Sequence, residues 1–417
     1  MDRYSALRLL REGLRDGAGW RPAWRAARPK PRYKMVVIGG GGHGLATAYY
    51  LAKLHGITDV AVIERGWIGG GNSGRNTTVI RSNYYYPESV KLYDFALRLY
   101  EGLSRELNYN VMFSPRGMIT LVHSRHELEA AARWVGAMRL NGVDARMIGK
   151  DEIARRLPAL DISPAARFPV AGGFVQERAG IARHDAVVWG YARAAASLGV
   201  DIVEGCEATG FLKGPGGRIE GVATSLGEVR ADRVALCVAG HSTVLAGLAG
   251  LELPITSYAL QAFVTEPVKP VLDVVALSTA TGAYLSQSDK GGLVIGGALD
   301  LYPSYAQRGG FQTARKVLGA VADQFPSFGQ IRLLRQWAGI VDVTHDSSPI
   351  LGPAPVEGLF LNCGWGTGGF KAIPAGGWLT AHQLATGETH DIARPFTLER
   401  FTSGRLLDEA AASGIAH

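Results

Sequence analysis

Apolar residues along this chain gather into short runs that stop abruptly at glycine. Met35 to Ile38 is one such run and predicts a buried strand, and the adjoining "GGGGHG" predicts a tight turn. From about Leu45 to Leu54 the spacing predicts a helix. A second apolar run, Val60 to Ile63, predicts a strand that ends on the acid Glu64. Towards the other end, Leu359 to Asn362 predicts a strand that meets Gly364, Gly366, Gly368 and Gly369 just before Lys371. Between these regions, "HDAVVWGYARAAASLGV" predicts a helix with an apolar stripe of Ala186, Val187, Trp189, Ala192 and Ala196, and His184 stands at its entrance. No apolar run approaches the ~20 residues that span a bilayer, so no membrane segment is expected.

The first of these regions carries chemistry. Gly39, Gly41 and Gly44 keep the G-x-G-x-x-G spacing: one glycine for the turn, one for backbone approach to a pyrophosphate, one for helix–strand packing. The helix start offers oriented N–H groups and a positive dipole to phosphates. Glu64 is placed to accept hydrogen bonds from ribose hydroxyls. Strand, turn, helix, second strand and terminal acid together point to a dinucleotide site in an α/β protein.

The stretch after Glu64 separates the cofactors. "GWIGGGNSGRNTTVIRSNYYYPE" is a second loop of glycines and hydroxyls, where an NAD protein would normally proceed to another helix. FAD is longer, and Gly69 to Thr78 could supply contacts along its ribityl chain. The third stretch, "GLFLNCGWGTGGFKAIPAGG", could aim backbone N–H groups at the pyrimidine edge of a flavin, where negative charge gathers on reduction. A glycine turn entering a buried helix is the plainer reading of that stretch.

Composition narrows the class further. With 417 residues and 47% hydrophobic content the chain can build two domains, and its 55 glycines suit many tight turns. Residues 1–34 hold ten of the 44 Lys and Arg but three of the 37 Asp and Glu, so the whole net charge of +7 sits there. The rest is balanced, which argues against nucleic-acid binding. Lacking a long apolar core, the basic segment is no secretory signal. Its Trp20 and Trp24 favour an arm that packs on a partner over a solvated tail. The three scattered cysteines, Cys206, Cys237 and Cys363, fit a reducing cytoplasm and no metal site.

With "RYSALRLLREGLR", "GGGGHGLATAYYLAKLHGITDVAVIE", "GGNSGRNTTVIRSNY", "AGIARHDAVVWGYARAA" and "LNCGWGTGGFK" in hand, the chain resembles the glycine and sarcosine oxidase group of flavoproteins. More narrowly it resembles beta subunits of heterotetrameric sarcosine oxidases, over almost its whole length. The resemblance implies a discontinuous Rossmann-like FAD domain interleaved with a substrate domain on a mixed sheet. The expected division is a docking arm at 1–34, FAD-binding segments at 35–90, 160–255 and 335–400, substrate segments at 91–159 and 256–334, and a tail at 401–417. The FAD contacts it implies are Gly39, Gly41, Gly42, His43, Gly44, Glu64, Asn72, Ser73, Thr77, Thr78, Ile80, Ala208, Gly366, Gly369 and Lys371.

Arg81 and Lys371 are the implied anchors of the sarcosine carboxylate. Related monomeric oxidases attach FAD to a cysteine in a loop like "GIVDVTHDSSPIL"; none stands there in this chain, so FAD should be noncovalent. The family's second flavin, FMN, would be covalently attached at His184, though the residues alone favour a structural or solvent-exposed histidine. The implied partners are alpha, gamma and delta subunits, with NAD and zinc held elsewhere in the complex. The implied co-substrates are O2 and tetrahydrofolate. A dye-linked dehydrogenase for an amino acid such as proline, and a noncatalytic flavoprotein scaffold, are the competing readings.

Overall fold

The computed structural model describes residues 5–16, 18 and 22–409. Two eight-stranded sheets organise it. In the first, the run through Met35–Ile38 becomes the central strand, Arg32–Ile38, flanked in parallel by Val60–Ile63 and Gly227–Leu236. Asp201–Val203 extends it on one side and Leu359–Cys363 on the other, both also parallel. Both faces of this sheet are covered, so its strands read as continuous apolar runs. The helix Gly42–His55 covers one face and buries Leu45, Ala48, Tyr49 and Leu51. It starts three residues earlier than the apolar spacing predicts, because the glycines themselves form its first turn.

The second sheet runs Leu333–Thr344, Ile255–Pro267, Gly292–Pro303, Tyr284–Gln287, Val275–Ser278, Met118–Val122, Gly172–Gln176 and Ala145–Ile148. It is mixed: Val275–Ser278 and Met118–Val122 pair in parallel, the other neighbours antiparallel. Two segments differ from the expected division. Gly172–Gln176 and all but the first two residues of Leu333–Thr344 fall inside stretches assigned to the FAD unit, yet both strands belong to this second sheet. The first is held between Met118–Val122 and Ala145–Ile148, and the second pairs along nearly its whole length with Ile255–Pro267. The crossing points lie inside strands that serve both units, where composition does not change.

The basic arm also differs from a free docking segment. Trp24 packs against the core beneath the first sheet, and its Nε1 donates to Glu204 at 3.2 Å. Arg25 and Lys30 pair with Asp201, and the Tyr33 hydroxyl donates to the same carboxylate at 3.0 Å. Residues 22–34 therefore dock on their own sheet edge. Among the described residues of the arm, the helix Ala6–Leu14 stands off, with Leu7, Leu10 and Leu14 exposed. Trp20 lies outside the described residues.

Candidate active site

A cavity of about 590 Å3 runs between the sheets from Glu64 to Lys371. Its floor is the glycine turn. Gly39 has φ +110°, and a Cβ there would lie 2.2 Å from the Cys237 carbonyl oxygen. A Cβ on Gly44 would lie 2.0 Å from the Gly39 oxygen, so turn and helix meet at a distance only glycine permits. No side chain caps the helix at Gly41, though Ser73 Oγ accepts from Gly42 N at 2.9 Å. Glu64 is fixed by two amides: Gly40 N donates to Oε2 and Gly66 N to Oε1, each at 2.8 Å. An uncapped helix start, a close glycine turn and a pinned carboxylate fit the phosphates and ribose of FAD.

The loop after Glu64 is tied to the second sheet. Asn72 and Ile340 exchange hydrogen bonds, Ile340 N donating to Asn72 Oδ1 at 2.8 Å and Asn72 Nδ2 donating back. Thr77 Oγ1 bonds the Tyr284 hydroxyl at 2.8 Å. Thr78 adopts φ +66°, steadied by Asn76 Oδ1, which accepts from its amide at 2.7 Å. Asn72, Ser73, Thr77, Thr78, Ala208, Gly366 and Gly369 all line the cavity, with Gly39, Gly41, Gly42 and His43. Ile80 does not. It is fully buried in the core beside the first sheet, its alternation from the lining Val79 turning it inward.

His43 stacks on Trp365 with ring centroids 4.6 Å apart, and its Nε2 donates to the Gly369 carbonyl at 2.9 Å. Burial pushes its pKa down to about 4, so the ring is neutral. That bond leaves Nδ1 as an acceptor, and among the described residues no partner meets it.

The glycine stretch near Lys371 departs from the expected use of its amides. Gly364 N donates to Asp342 Oδ2 at 2.5 Å, and the Trp365 and Gly366 amides turn to the same carboxylate. A carboxylate taken from water needs such donors, and burial still pushes Asp342 up to about 7. Sequence reasoning missed Asp342, although it lies within "GIVDVTHDSSPIL".

Lys371 and Arg81 meet at the far end. Lys371 is only 6% exposed, and its Nζ donates to the Thr367 carbonyl at 3.1 Å. Burial, and then the neighbouring Arg81 charge, hold its pKa well below the usual lysine range. Arg81 Nη1 donates to Asn83 Oδ1 at 2.6 Å, and its guanidinium lies 4.8 Å from the Tyr84 ring centroid. Tyr84 stacks on Tyr93 at 3.9 Å. Among the described residues neither cation forms an ion pair. Met118, Leu260, Leu277 and Leu299 supply apolar wall from the second sheet. Two cations beside an apolar wall suit a small carboxylate with a hydrocarbon remainder. The tyrosine pair was also missed, although "NYYYPE" comes soon after Arg81.

His184 lies outside this cavity. It opens the helix His184–Ser197, half-buried, and burial lowers its pKa. Among the described residues neither ring nitrogen makes a hydrogen bond. Its neighbours Arg183 and Asp185 pair with each other instead. Two residues upstream, Ala182 N donates to the Thr78 carbonyl at 3.2 Å, which backs His184 onto the cavity loop. Trp189, expected in the apolar stripe, is 42% exposed on the outer face of this helix. Cys237 and Cys206 line the cavity, while Cys363 is buried. Burial pushes the Cys237 thiol up to about 12, so it is no ready nucleophile. The described residues contain no metal-binding cluster and no helix long and apolar enough to cross a membrane.

Residues 34–383 match the FAD dependent oxidoreductase family. The chain is 52% identical to sarcosine oxidase subunit beta of Rhodobacter capsulatus, with the full length of both covered. It is 51% identical to sarcosine oxidase subunit beta of Rhizobium meliloti, covering 98% of this chain and 97% of that one. Among solved structures it resembles L-proline dehydrogenase from P. horikoshii, with a TM-score of 0.85 and 27% identity, covering 91% of this chain and 100% of that one.

Proposed function

The chain belongs to the FAD dependent oxidoreductase family and, within it, to the beta subunits of sarcosine oxidase; from that premise we propose that it oxidises sarcosine in the cavity between its sheets. The observation that carries this reading is the pairing of Arg81 with a buried Lys371 at the end of the cavity remote from Glu64. Both cations hold the sarcosine carboxylate, and the apolar wall receives its N-methyl group. Oxidation requires the nitrogen lone pair, so the ammonium must lose its proton. Lys371, whose burial disfavours its charged form, takes that proton and becomes the cation that pairs with the carboxylate. FAD, which the Gly39–Gly44 turn and Glu64 would hold, would supply the oxidising power to remove a hydride equivalent from the methyl carbon, giving an imine. Hydrolysis of the imine gives glycine and formaldehyde, or tetrahydrofolate captures the one-carbon unit as methylenetetrahydrofolate.

The reading extends to FMN, which His184 would hold covalently and which would supply a route for electrons to O2, giving H2O2. A half-buried imidazole whose charged form burial disfavours, with no hydrogen bond among the described residues, supports that assignment. Alpha, gamma and delta subunits complete the complex, with NAD and zinc in other subunits, in the cytoplasm. The exposed leucines of Ala6–Leu14 offer a contact for one of them.

The likeness to L-proline dehydrogenase favours a second reading, the FAD-containing beta subunit of a dye-linked amino acid dehydrogenase. Oxygen consumption with sarcosine against proline separates the two. Turnover of sarcosine with O2 supports the oxidase; turnover of proline with a dye alone rejects it.

A further inference from the structure

Glu409 has no part in the chemistry above, yet it is 4% exposed close to the end of the described chain. Its carboxylate accepts from the Tyr85 amide at 2.8 Å and the Tyr86 amide at 2.9 Å, and the Ser89 side chain bonds it as well. These residues open the helix Pro87–Glu106, whose N-cap residue, Tyr86, gives no side-chain cap of its own. Glu409 thus grips the two residues that lead into the helix, and its negative charge next to the helix N-terminus suits the helix dipole.

A second buried contact brings the chain there. Arg400 and Asp346, both almost fully buried, form a two-pronged pair at 2.7 and 2.9 Å. Asp346 Oδ2 also accepts from Leu407 N at 3.1 Å, and Ser348 Oγ donates to the Leu407 carbonyl at 2.7 Å. Residues 400–409 are thus clamped at Leu407 and again at Glu409.

The backbone that Glu409 grips lies directly beside the substrate end. Tyr85 comes immediately after Tyr84, whose ring carries the Arg81 guanidinium and stacks on Tyr93. The Lys371 ammonium lies 5.7 Å from that same Tyr93 ring. Any slack in residues 82–86 would reach both cations through the tyrosine pair.

We infer that residues 400–409 form a strap, closed by Glu409 on the Tyr85 and Tyr86 amides, that positions Arg81 and the Tyr84–Tyr93 stack. Glu409 is a positioning residue. Its consequence for substrate rests on the reading of Arg81 as a carboxylate anchor.

The test uses the FAD-loaded enzyme purified with its partner subunits, as wild type, Glu409→Gln, Glu409→Ala, Arg81→Met and Glu409→Ala/Arg81→Met. Hydrogen exchange is followed in the peptide covering residues 82–90, and acetate binding by perturbation of the flavin spectrum. In Glu409→Ala the Tyr85 and Tyr86 amides should exchange about tenfold faster, as expected for loss of a buried charge-assisted bond, with Glu409→Gln intermediate. Acetate should bind several-fold more weakly and KM for sarcosine should rise more than kcat falls, while FAD content stays constant. The effect on acetate should vanish in the double variant. Unchanged exchange in Glu409→Ala overturns the strap. Faster exchange with acetate binding held, or losses that simply add in the double variant, overturns the link to Arg81. Wild-type acetate binding in Arg81→Met would sink the carboxylate reading, and the exchange rates alone would then decide the strap.

Discussion

The two ends of the cavity are built in different ways. At the Glu64 end, strand, turn, helix, strand and acid come from one stretch of about thirty residues, with Cys237 and Ser73 among the contacts that reach it from elsewhere. At the Lys371 end, each feature comes from somewhere else in the chain. Arg81 leaves one loop, Lys371 another helix, the apolar wall the second sheet, and the bracing carboxylate Glu409 the C-terminal segment. A mostly local unit can be kept across many reactions because few contacts outside it must agree. The dispersed end depends on long-range packing and so is where substrate choice can be set.

The sharpest way to break this comparison is to block the local end without disturbing the fold. A Cβ on Gly41 would meet only Ser73 Oγ, at 3.2 Å, so the chain accommodates a side chain there while the cavity does not. Gly41→Val should fold but weaken FAD binding by about 3 kcal/mol or more, the scale of a forced overlap. Circular dichroism and flavin content after gel filtration check both halves of this expectation.

Next in size is His184→Asn. Covalent flavin in the acid-precipitated protein should disappear, and steady-state oxygen consumption should fall sharply. Bleaching of the FAD band by anaerobic sarcosine should survive, because the glycine turn lies elsewhere. A colourless wild-type precipitate would return His184 to a helix-entrance histidine.

At the dispersed end, Lys371→Met and Arg81→Met should each weaken sarcosine binding by roughly 2–4 kcal/mol. Lys371→Met should also stabilise the ligand-free protein by about 1 kcal/mol, since it removes a buried group that resists carrying charge. The folded-state pKa lies below the unfolded value, so the unfolded chain binds more protons in between. Wild-type stability should accordingly rise with pH through that window, and the advantage of Lys371→Met should shrink as pH climbs towards the ordinary lysine value. Urea titrations at several pH values measure it.

The smallest effect expected is on acetate, which brings no proton of its own. Its binding should weaken as pH rises above the depressed Lys371 pKa, and this slope should be absent in Lys371→Met. Spectral titrations across the pH range decide it.

The same contrast governs what could be read from the sequence. Gly39, Gly41, Gly44 and Glu64 were legible because their spacing to one another is fixed within one short stretch of sequence. Arg81 and Lys371 stood out through resemblance, and the structure brings them to one cavity wall. Asp342, Tyr84, Tyr93 and Glu409 were not legible, because their roles arise from contacts between distant segments. Helical periodicity placed Trp189 on the buried face, but that face is carried by Val187, Tyr191 and Ala195. The domain division slipped at Gly172–Gln176 and Leu333–Thr344 for a related reason: which sheet a strand joins is decided by its pairing partners.

The most direct test of the account is anaerobic mixing of the FAD-loaded enzyme with increasing sarcosine, following the flavin band, in wild type, Arg81→Met and Lys371→Met. The account predicts rapid, saturable bleaching in wild type, with half-saturation displaced to much higher sarcosine in both variants. Bleaching by proline but not sarcosine, or an unchanged sarcosine dependence in both variants, would contradict it.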